Sequence, residues 1–172
     1  RKGKEGLGKA YLDAFKRVLV DKEVKFVMMM DADFSHHPRY LPEILSKKDT
    51  HDVVVGSRYV PAGGTEGWEL WRRVLSFGGN TYCRFITGIP TTDCTGGFNL
   101  IRADFLRNAE LSNLGASGYA FIMELKYLLF KDGARFVEVP IIFKNRTGGE
   151  SKISNHIISE GIIAPWKMIL KK

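Results

Sequence analysis

The stretch K-F-V-M-M-M-D-A-D, residues 25–33, decides the class of fold. Its apolar run is uninterrupted and stops abruptly at Asp31 and Asp33. A short apolar run of this kind is typical of a buried strand, and the carboxylates then stand just beyond its C-terminal end. We therefore predict a strand at 25–30 whose tip carries two acidic side chains.

Helices and strands alternate on both sides of this strand. The predicted helices cover 8–21, 38–48, 68–87 and 119–131, and the further strands cover 52–58, 97–101 and 135–144. A last segment, 154–170, has a helical pattern that we expect Pro165 to break. This alternation indicates an α/β domain with a mostly parallel sheet flanked by helices. Ligands bind such sheets at the carboxyl ends of the strands.

Length and composition limit the alternatives further. The 172 residues suffice for one domain with a real core. The first residue is Arg, in a run typical of the middle of a loop, so we expect that N-terminal strands are missing. The net charge of +7 favours an anionic partner. No run of about 18 apolar residues is present, and this predicts no membrane span.

The two cysteines indicate a reducing compartment. Cys83 and Cys94 have neither C-x-x-C spacing nor the pattern of a disulfide framework. We predict that both are small buried side chains.

Alternating carboxylates after a strand are a candidate metal site. Asp31 and Asp33 offer hard oxygen ligands, which Mg²⁺ and Mn²⁺ prefer, with substrate phosphates completing the coordination. The alternative is a pair of solvated aspartates that cap the next helix. Of the neighbouring His36 and His37, we expect one to be packed or hydrogen-bonded rather than a ligand.

Four more polar loops are predicted at the same edge of the sheet; all carry glycines, and all but the one at 93–98 carry cations. They comprise residues 1–9, 56–60, 93–98 and 145–152, and a fifth group of cations, Arg72 and Arg73, follows at a helix start. The planar fork of arginine suits phosphate oxygens. Each loop alone is equally typical of a plain surface turn, with arginines paired to carboxylates or solvated. Their convergence predicts a phosphate-binding site.

The motifs together resemble one enzyme family. They are K-G-K-E-G-L-G, D-A-D-F-S-H-H-P, V-V-G-S-R-Y-V, G-W-E-L-W-R-R-V-L-S-F-G-G-N, D-C-T-G-G-F and N-R-T-G-G-E-S-K. In this order they look like the dolichol-phosphate (polyprenol-phosphate) mannosyltransferases, inverting members of glycosyltransferase family 2 with a GT-A fold. The resemblance runs along the chain through Lys152.

The resemblance implies a role for individual residues. Donor-binding residues would be Asp31, Ala32, Asp33, Arg58, Arg146 and Lys152. A Mg²⁺ or Mn²⁺ ion would be surrounded by Asp31, Asp33 and Ser35, the last standing where some relatives carry Gln. The acceptor phosphate would meet Arg72, Arg73 and Ser76. Among these, Asp33, Arg58 and Arg72 would be the catalytic residues.

The implied reaction transfers mannose from GDP-mannose to dolichyl or polyprenyl phosphate, giving polyprenyl phosphomannose and GDP. The catalytic domain would cover 1–152, and 153–172 would form a helical segment. That segment either packs on the core or lies in a membrane interface, directly or beside a membrane partner subunit. We expect a peripheral protein on the cytoplasmic face of a membrane.

Three other functions compete with this interpretation. The nearest is transfer of glucose from UDP-glucose to the same lipid phosphate. D-A-D-F-S, residues 31–35, also resembles the nucleophile motif of aspartate-dependent phosphatases, but the acidic pair that those enzymes need downstream is absent after residue 53. A basic nucleic-acid-binding module would require a cationic patch interleaved with exposed aromatics, whereas these cations occupy glycine loops. We therefore expect no nucleic-acid partner.

Overall fold

The computed structural model describes residues 6–114, 119–145 and 155–170. This part of the chain is an α/β domain, as predicted. Its α-helices are α1 (Leu7–Val18), α2 (Leu41–Ser46), α3 (Leu70–Thr87), α4 (Ala103–Asn108), α5 (Tyr119–Lys131) and α6 (Asn155–Leu170). Its strands are β1 (Phe26–Met29), β2 (Val53–Ser57), β3 (Gly64–Glu66), β4 (Asn99–Arg102), β5 (Phe136–Pro140) and β6 (Ile142–Lys144). Single 3₁₀ turns cover Pro38–Tyr40 and Leu111–Asn113.

The main sheet brings three strand ends to one edge. Its order is β1-β4-β2-β5, in which β2 and β5 are parallel and β4 is antiparallel to both β1 and β2. β1, β2 and β5 therefore run in one direction, and their C-terminal ends lie at the same edge. The turns that follow β1 and β2 carry Asp31 and Arg58, so the topology places these two side chains on one side of the domain.

The three valines of β2 show how the sheet is buried on both faces. Val53 and Val55 pack with Phe15 and Phe121 on one face, while Val54 packs with Ile44 on the other. This alternation follows from the period of two in a pleated strand. Helices cover both faces of the sheet, and this explains why the successive residues 53–55 of β2 are all apolar.

A third apolar cluster joins α6 to α3 and α5. It comprises Cys83, Ile89, Cys94, Ala120, Met123, Ala164 and Met168. Both cysteines are buried within it, as the sequence predicted. One side of α6 therefore packs on the rest of the domain, and the opposite side faces solvent.

Two sequence-based boundaries are wrong. The strand predicted at 135–144 is divided at Ile141: β5 belongs to the main sheet, whereas β6 pairs in parallel with β3 in a second, two-stranded sheet. The N–H of Ile141 donates to the carbonyl of Ser57, and its carbonyl accepts from Gly64, both at 2.9 Å. One residue thus bonds to both neighbours, and the chain crosses from one sheet to the other. The short β3 and the helix α4 were not predicted at all.

The predicted break at Pro165 is also wrong, because α6 continues through it as one helix. Proline lacks the N–H that would bond to the carbonyl four residues earlier, at Gly161, and its ring crowds that carbonyl. Packing compensates locally. The hydroxyl of Tyr82 donates to the neighbouring carbonyl of Ile162 at 3.1 Å, and Trp166 Nε1 donates to that same hydroxyl at 2.7 Å. Contacts with α3 hold the helix together on both sides of the proline.

Candidate functional site

The acidic turn after β1 is held in shape by its own side chains. Asp33 Oδ1 accepts hydrogen bonds from the N–H of Ser35 at 3.0 Å and from its hydroxyl at 2.5 Å. Phe34 between them has a φ of 62°, a left-handed conformation that this bonding stabilises. Asp31, Ala32 and Asp33 are exposed, whereas Ser35 is buried. The turn therefore presents both carboxylates to solvent.

His36 supports this turn from below. The N–H of Asp31 donates to His36 Nδ1 at 2.9 Å, and the ring stacks on Phe98 with centroids 5.0 Å apart. Burial lowers the pKa of His36, so the ring is neutral with Nδ1 as the acceptor. The prediction that one histidine of the pair is packed and hydrogen-bonded is confirmed.

The chemistry of the turn fits a hard divalent cation. Asp31 and Asp33 supply exposed carboxylate oxygens, and Mg²⁺ is commonly bound by one or two carboxylates together with substrate phosphates. Among the described residues, no group of three or more His, Cys, Asp or Glu side chains is arranged around a metal position. Ser35 is buried and donates to Asp33, which places it as a support of that carboxylate. A bound cation would thus need further oxygens from the substrate or from water.

Arg58, at the tip of β2, is bound to a carboxylate that the sequence does not place near it. Asp93 Oδ2 accepts from Arg58 Nε at 2.7 Å and from its backbone N–H at 3.0 Å, and Oδ1 accepts from Nη2 at 2.7 Å. Asp93 is fully buried. Burial raises its pKa, but the charge and hydrogen bonds of Arg58 and the charge of Lys126 outweigh burial and lower the pKa to about 2. Asp93 is therefore ionised at neutral pH.

A buried lysine fixes the turn that carries Asp93. Lys126 is 2% exposed, and its Nζ donates to the carbonyls of Asp93 and Gly96 at 2.6 and 3.0 Å. A Cβ at Gly96 would lie 2.9 Å from Asp93 Oδ1, so the absence of a side chain there serves the carboxylate itself. Glu138 of β5 accepts from the N–H groups of Thr92 and Asp93. Lys126 and Glu138 thus hold the turn from two sides.

The start of α3 contributes the second arginine. Arg72 lies over the ring of Trp68, with 3.9 Å from its guanidinium carbon to the ring centroid. One turn later, the hydroxyl of Ser76 accepts from that of Tyr59 at 2.6 Å. Arg58, Arg72 and Ser76 all line one cleft.

Three other predicted site residues are placed differently or not described. Arg73 donates to the carbonyl of Thr65 at 3.1 Å and is not among the described residues that line the cleft. Successive residues on a helix project about 100° apart, so Arg72 and Arg73 do not face the same cleft. Arg146 and Lys152 lie outside the described residues.

The cleft has a volume of about 580 Å³ and two chemically different ends. Its polar end is lined by Asp31, Arg58, Arg72, Ser76, Asn80 and Thr95. Its other end lies between α3, α5 and α6 and is mainly apolar. It is lined by Leu75, Gly78, Gly79, Ala120, Met123, Gly161 and Ile162, with Tyr82 and Glu160 as polar members. A Cβ placed on Gly78 or Gly79 would meet no atom within 4 Å, so these glycines leave open space beside the helix. The cleft suits a ligand with an anionic head and an apolar tail.

Sequence reasoning missed Lys126 and the function of Trp68. A signal for Lys126 exists, because Ile122, Lys126 and Leu129 share one face of α5 at spacings of four and three. The Trp68–Arg72 contact likewise has a spacing of four across the helix start. The partnership of Arg58 with Asp93 spans 35 residues and has no local signal.

Comparison with known proteins gives consistent results. Residues 1–109 match the family model described as Glycosyl transferase family 2. The chain is 39% identical over 163 residues to the undecaprenyl-phosphate mannosyltransferase of Micrococcus luteus, which covers 95% of this chain and 67% of the relative. It is also 39% identical over 169 residues to the polyprenol monophosphomannose synthase of Mycolicibacterium smegmatis, covering 96% and 63%. The chain thus spans about two thirds of the length of these relatives, and the resemblance that its motifs carried is confirmed.

Proposed function

This chain belongs to glycosyl transferase family 2, and we propose that it transfers mannose from GDP-mannose to a polyprenyl phosphate, giving polyprenyl phosphomannose and GDP. The observation that supports this most is the two-ended cleft, in which arginines at one end adjoin an apolar groove. Both relatives, by their names, act with mannose and a polyprenyl phosphate or produce a polyprenol monophosphomannose. The family match favours this function over a phosphatase or a nucleic-acid-binding module.

The acceptor phosphate would bind at the polar end of the cleft. Arg72 and Ser76 stand there beside Arg58, and the polyprenyl chain would extend along Leu75, Met123 and Ile162. The bond from the anomeric carbon to the GDP oxygen breaks, and a bond to an acceptor phosphate oxygen forms on the opposite face. GDP leaves with the electron pair. The protein's contribution is to align the two reactants and to balance their negative charge.

No catalytic base is needed for this acceptor. The second pKa of a phosphate monoester is about 6, so its oxygen is already anionic at neutral pH. Asp93 is the carboxylate bound to Arg58, but it is fully buried and has a pKa of about 2. A carboxylate this acidic and enclosed is a poor proton acceptor. We therefore assign to it the positioning of Arg58.

Asp31 and Asp33 would hold a Mg²⁺ or Mn²⁺ ion, with Ser35 fixing Asp33. The ion would supply positive charge to the leaving diphosphate. Ala32 lies between the two carboxylates at the exposed surface of the turn, where the backbone is accessible to the donor. The proposed donor site also includes Arg58 and, outside the described residues, Arg146 and Lys152.

The test is a transfer assay with matched donors and acceptors. Radiolabelled GDP-mannose and UDP-glucose are each offered with a polyprenyl phosphate or with the free polyprenol. We expect transfer only from GDP-mannose to the phosphorylated lipid, and its loss on chelation of divalent cations. Efficient transfer from UDP-glucose would show that the donor is UDP-glucose and not GDP-mannose. Efficient transfer to the free alcohol would show that a base activates the acceptor and would overturn the mechanism.

We also propose that α3 and α6 place the cleft against a membrane on its cytoplasmic face. None of the described helices is long and apolar enough to cross a bilayer. Two apolar stripes are nevertheless exposed, and they comprise Leu70, Val74, Phe77 and Phe85 of α3 with Ile162, Trp166, Ile169 and Leu170 of α6. Exposed cations accompany them: Arg73, Arg84 and Lys167. Apolar stripes with neighbouring cations suit an interface containing anionic lipids.

Replacing Trp166 with glutamate is expected to weaken binding to anionic lipid vesicles, because it places a charge in the apolar stripe. Co-sedimentation with vesicles of phosphatidylglycerol and phosphatidylcholine measures the effect. Leu170→Glu, at a side chain 74% exposed, should act in the same way without touching Tyr82. Val20→Glu is the matched control, since Val20 is 77% exposed but lies at the end of α1. If both α6 variants bind vesicles as the wild type does, α6 does not anchor the protein to lipid, and anchoring would then depend on a membrane partner subunit.

A further inference from the structure

Both arginines of the cleft lie over one aromatic ring, that of Trp68. The guanidinium carbon of Arg72 is 3.9 Å from the centroid of Trp68, and that of Arg58 is 5.5 Å from it. The edge of Phe143 completes the contact, with centroids 5.6 Å apart. The face of an indole ring carries negative potential and attracts cations. Trp68 therefore attracts both guanidinium groups, and Asp93 in addition neutralises that of Arg58.

The two arginines differ in how they are fixed. Arg58 is bound by both oxygens of the buried Asp93, so its guanidinium has a defined position. Arg72 extends from the first turn of α3, and its guanidinium carbon lies over the ring of Trp68. The ring thus sets where the second cation lies relative to the first.

The backbone and surroundings of Trp68 indicate a constrained side chain. Gly67 precedes it with a φ of 74°, and a Cβ at that glycine would lie 3.2 Å from Asn145. Within the described part of the chain, the buried indole N–H of Trp68 has no hydrogen-bond acceptor. Trp71 is the opposite case: it is exposed and donates to Glu69. Trp71 therefore lies on the surface of the helix, although it is only three residues from Trp68.

We propose that Trp68 is a positioning residue for the acceptor phosphate. Its ring holds the Arg72 guanidinium at the distance from Arg58 at which both cations face one phosphate group. This inference rests on the proposed function only in naming that phosphate as the head of a polyprenyl phosphate. The two-cation site itself follows from the contacts of Arg58, Trp68 and Arg72.

Steady-state kinetics of Trp68→Leu and Trp68→Phe test the proposal. Leucine removes the aromatic face, and we expect the KM for polyprenyl phosphate to rise by about tenfold or more, since a desolvated cation–π contact contributes roughly the 1.4 kcal/mol that a tenfold change represents. The KM for GDP-mannose should stay within about twofold. Phenylalanine keeps a flat ring and should restore most of the acceptor affinity. Trp71→Leu is the matched control and should leave both constants unchanged.

A fluorescence titration gives an answer that does not depend on mannose transfer. The chain has 3 tryptophans, so Trp71→Phe combined with Trp166→Phe leaves Trp68 as the sole indole. Farnesyl phosphate, with inorganic phosphate as the head-group control, should change its emission saturably, and Arg72→Ala should abolish the change. This variant retains Trp68 and so remains informative even where Trp68→Leu does not fold.

The outcomes separate the two proposals. Equal kinetics for Trp68→Leu and Trp71→Leu, or a Trp68 emission insensitive to both phosphates, would overturn the positioning role while leaving mannosyl transfer in place. A wild-type protein that binds farnesyl phosphate with an Arg72-dependent change at Trp68, yet transfers no mannose, would reject the proposed reaction and retain the two-cation site.

Discussion

Asp33→Asn is expected to abolish the dependence of GDP-mannose binding on a divalent cation while the domain stays folded. The change removes a negative charge from the acidic turn but keeps its shape, because the amide oxygen still accepts from Ser35. Replacing a residue that merely supports a metal ligand already lowers metal affinity or activity by about 10–100-fold. We therefore expect loss of this proposed ligand to lower turnover by more than about 100-fold. Calorimetric titration of GDP-mannose, with and without Mn²⁺, measures the metal-dependent part.

Ser35→Ala is the matched comparison for this experiment. It keeps both carboxylates and removes only the hydroxyl that donates to Asp33 Oδ1. If Ser35 supports Asp33, the response to Mn²⁺ should weaken without disappearing. Asp104→Asn, at an exposed carboxylate of α4 paired with Arg107, controls for the loss of one surface charge. An Asp33→Asn protein that responds to Mn²⁺ as the wild type does would remove Asp33 from the metal site.

The parts of this fold that the sequence predicted are those encoded locally. The apolar run of β1 and the abrupt change to Asp31 are adjacent in the chain, so one short window contains both the strand and the polar turn at its end. The apolar run before Arg58 is equally local. Once the alternation of strands and helices had indicated an α/β sheet, the meeting of these two turns at one edge followed from the general rule for such sheets.

The parts that the sequence did not predict depend on distant pairings. β3 has three residues and exists because β6 pairs with it, and the same pairing divides the strand predicted at 135–144. Pro165 was expected to end a helix, but contacts of α6 with Tyr82 hold the helix on both sides of it. Local propensity is a weak guide wherever packing supplies the deciding free energy.

The site shows the same division. The sequence predicts that Arg58 contacts donor phosphates, but it does not predict the ion pair of Arg58 with Asp93. Asp93 is a carboxylate, and its residue type alone would permit the role of a base. Only the structure shows that four N–H groups of Arg58 and Gly96 surround it. The type of a residue indicates which chemistry it could perform. The groups that it contacts in the folded protein decide which of these functions remains possible.

The largest loss of stability is expected from Asp93→Asn. The asparagine leaves the nearly buried guanidinium of Arg58 without its counter-ion and also removes an anion near Lys126. Removing one partner of a buried ion pair typically costs about 3–5 kcal/mol. For a domain of this size, 1 kcal/mol corresponds to about 2–4 °C, so the melting temperature should fall by roughly 6–20 °C. Differential scanning calorimetry measures it.

Asp52→Asn is the matched control, because Asp52 also binds arginines but at the opposite end of β2. Its partners Arg102 and Arg135 are partly exposed, so water compensates them when the charge is lost. We expect a clearly smaller fall in melting temperature than for Asp93→Asn. Equal falls in melting temperature for the two variants would mean that the burial of Arg58 does not add to the stabilising effect of its ion pair.

The acid branch of the stability curve supplies a second measurement. The pKa of Asp93 is lowered from 3.8 to about 2 in the folded protein. Its stabilising contribution is therefore complete above the ordinary pKa and is lost as the pH falls from about 4 towards 2. At 1.36 kcal/mol per pKa unit, this contribution is about 2–3 kcal/mol. Asp93→Asn should lack that part of the acid destabilisation, so the two stability curves should converge as the pH falls.

The same variant decides between a positioning role and a catalytic base. If Asp93 only holds Arg58, its loss should lower turnover and melting temperature together. Arg72→Ala, at the cleft surface, should lower turnover without a comparable loss of stability. The pH profile of the residual activity in Asp93→Asn should keep its wild-type shape, because the acceptor phosphate is deprotonated without help. An Asp93→Asn protein with the wild-type melting temperature and no activity would identify Asp93 as the base and overturn the mechanism.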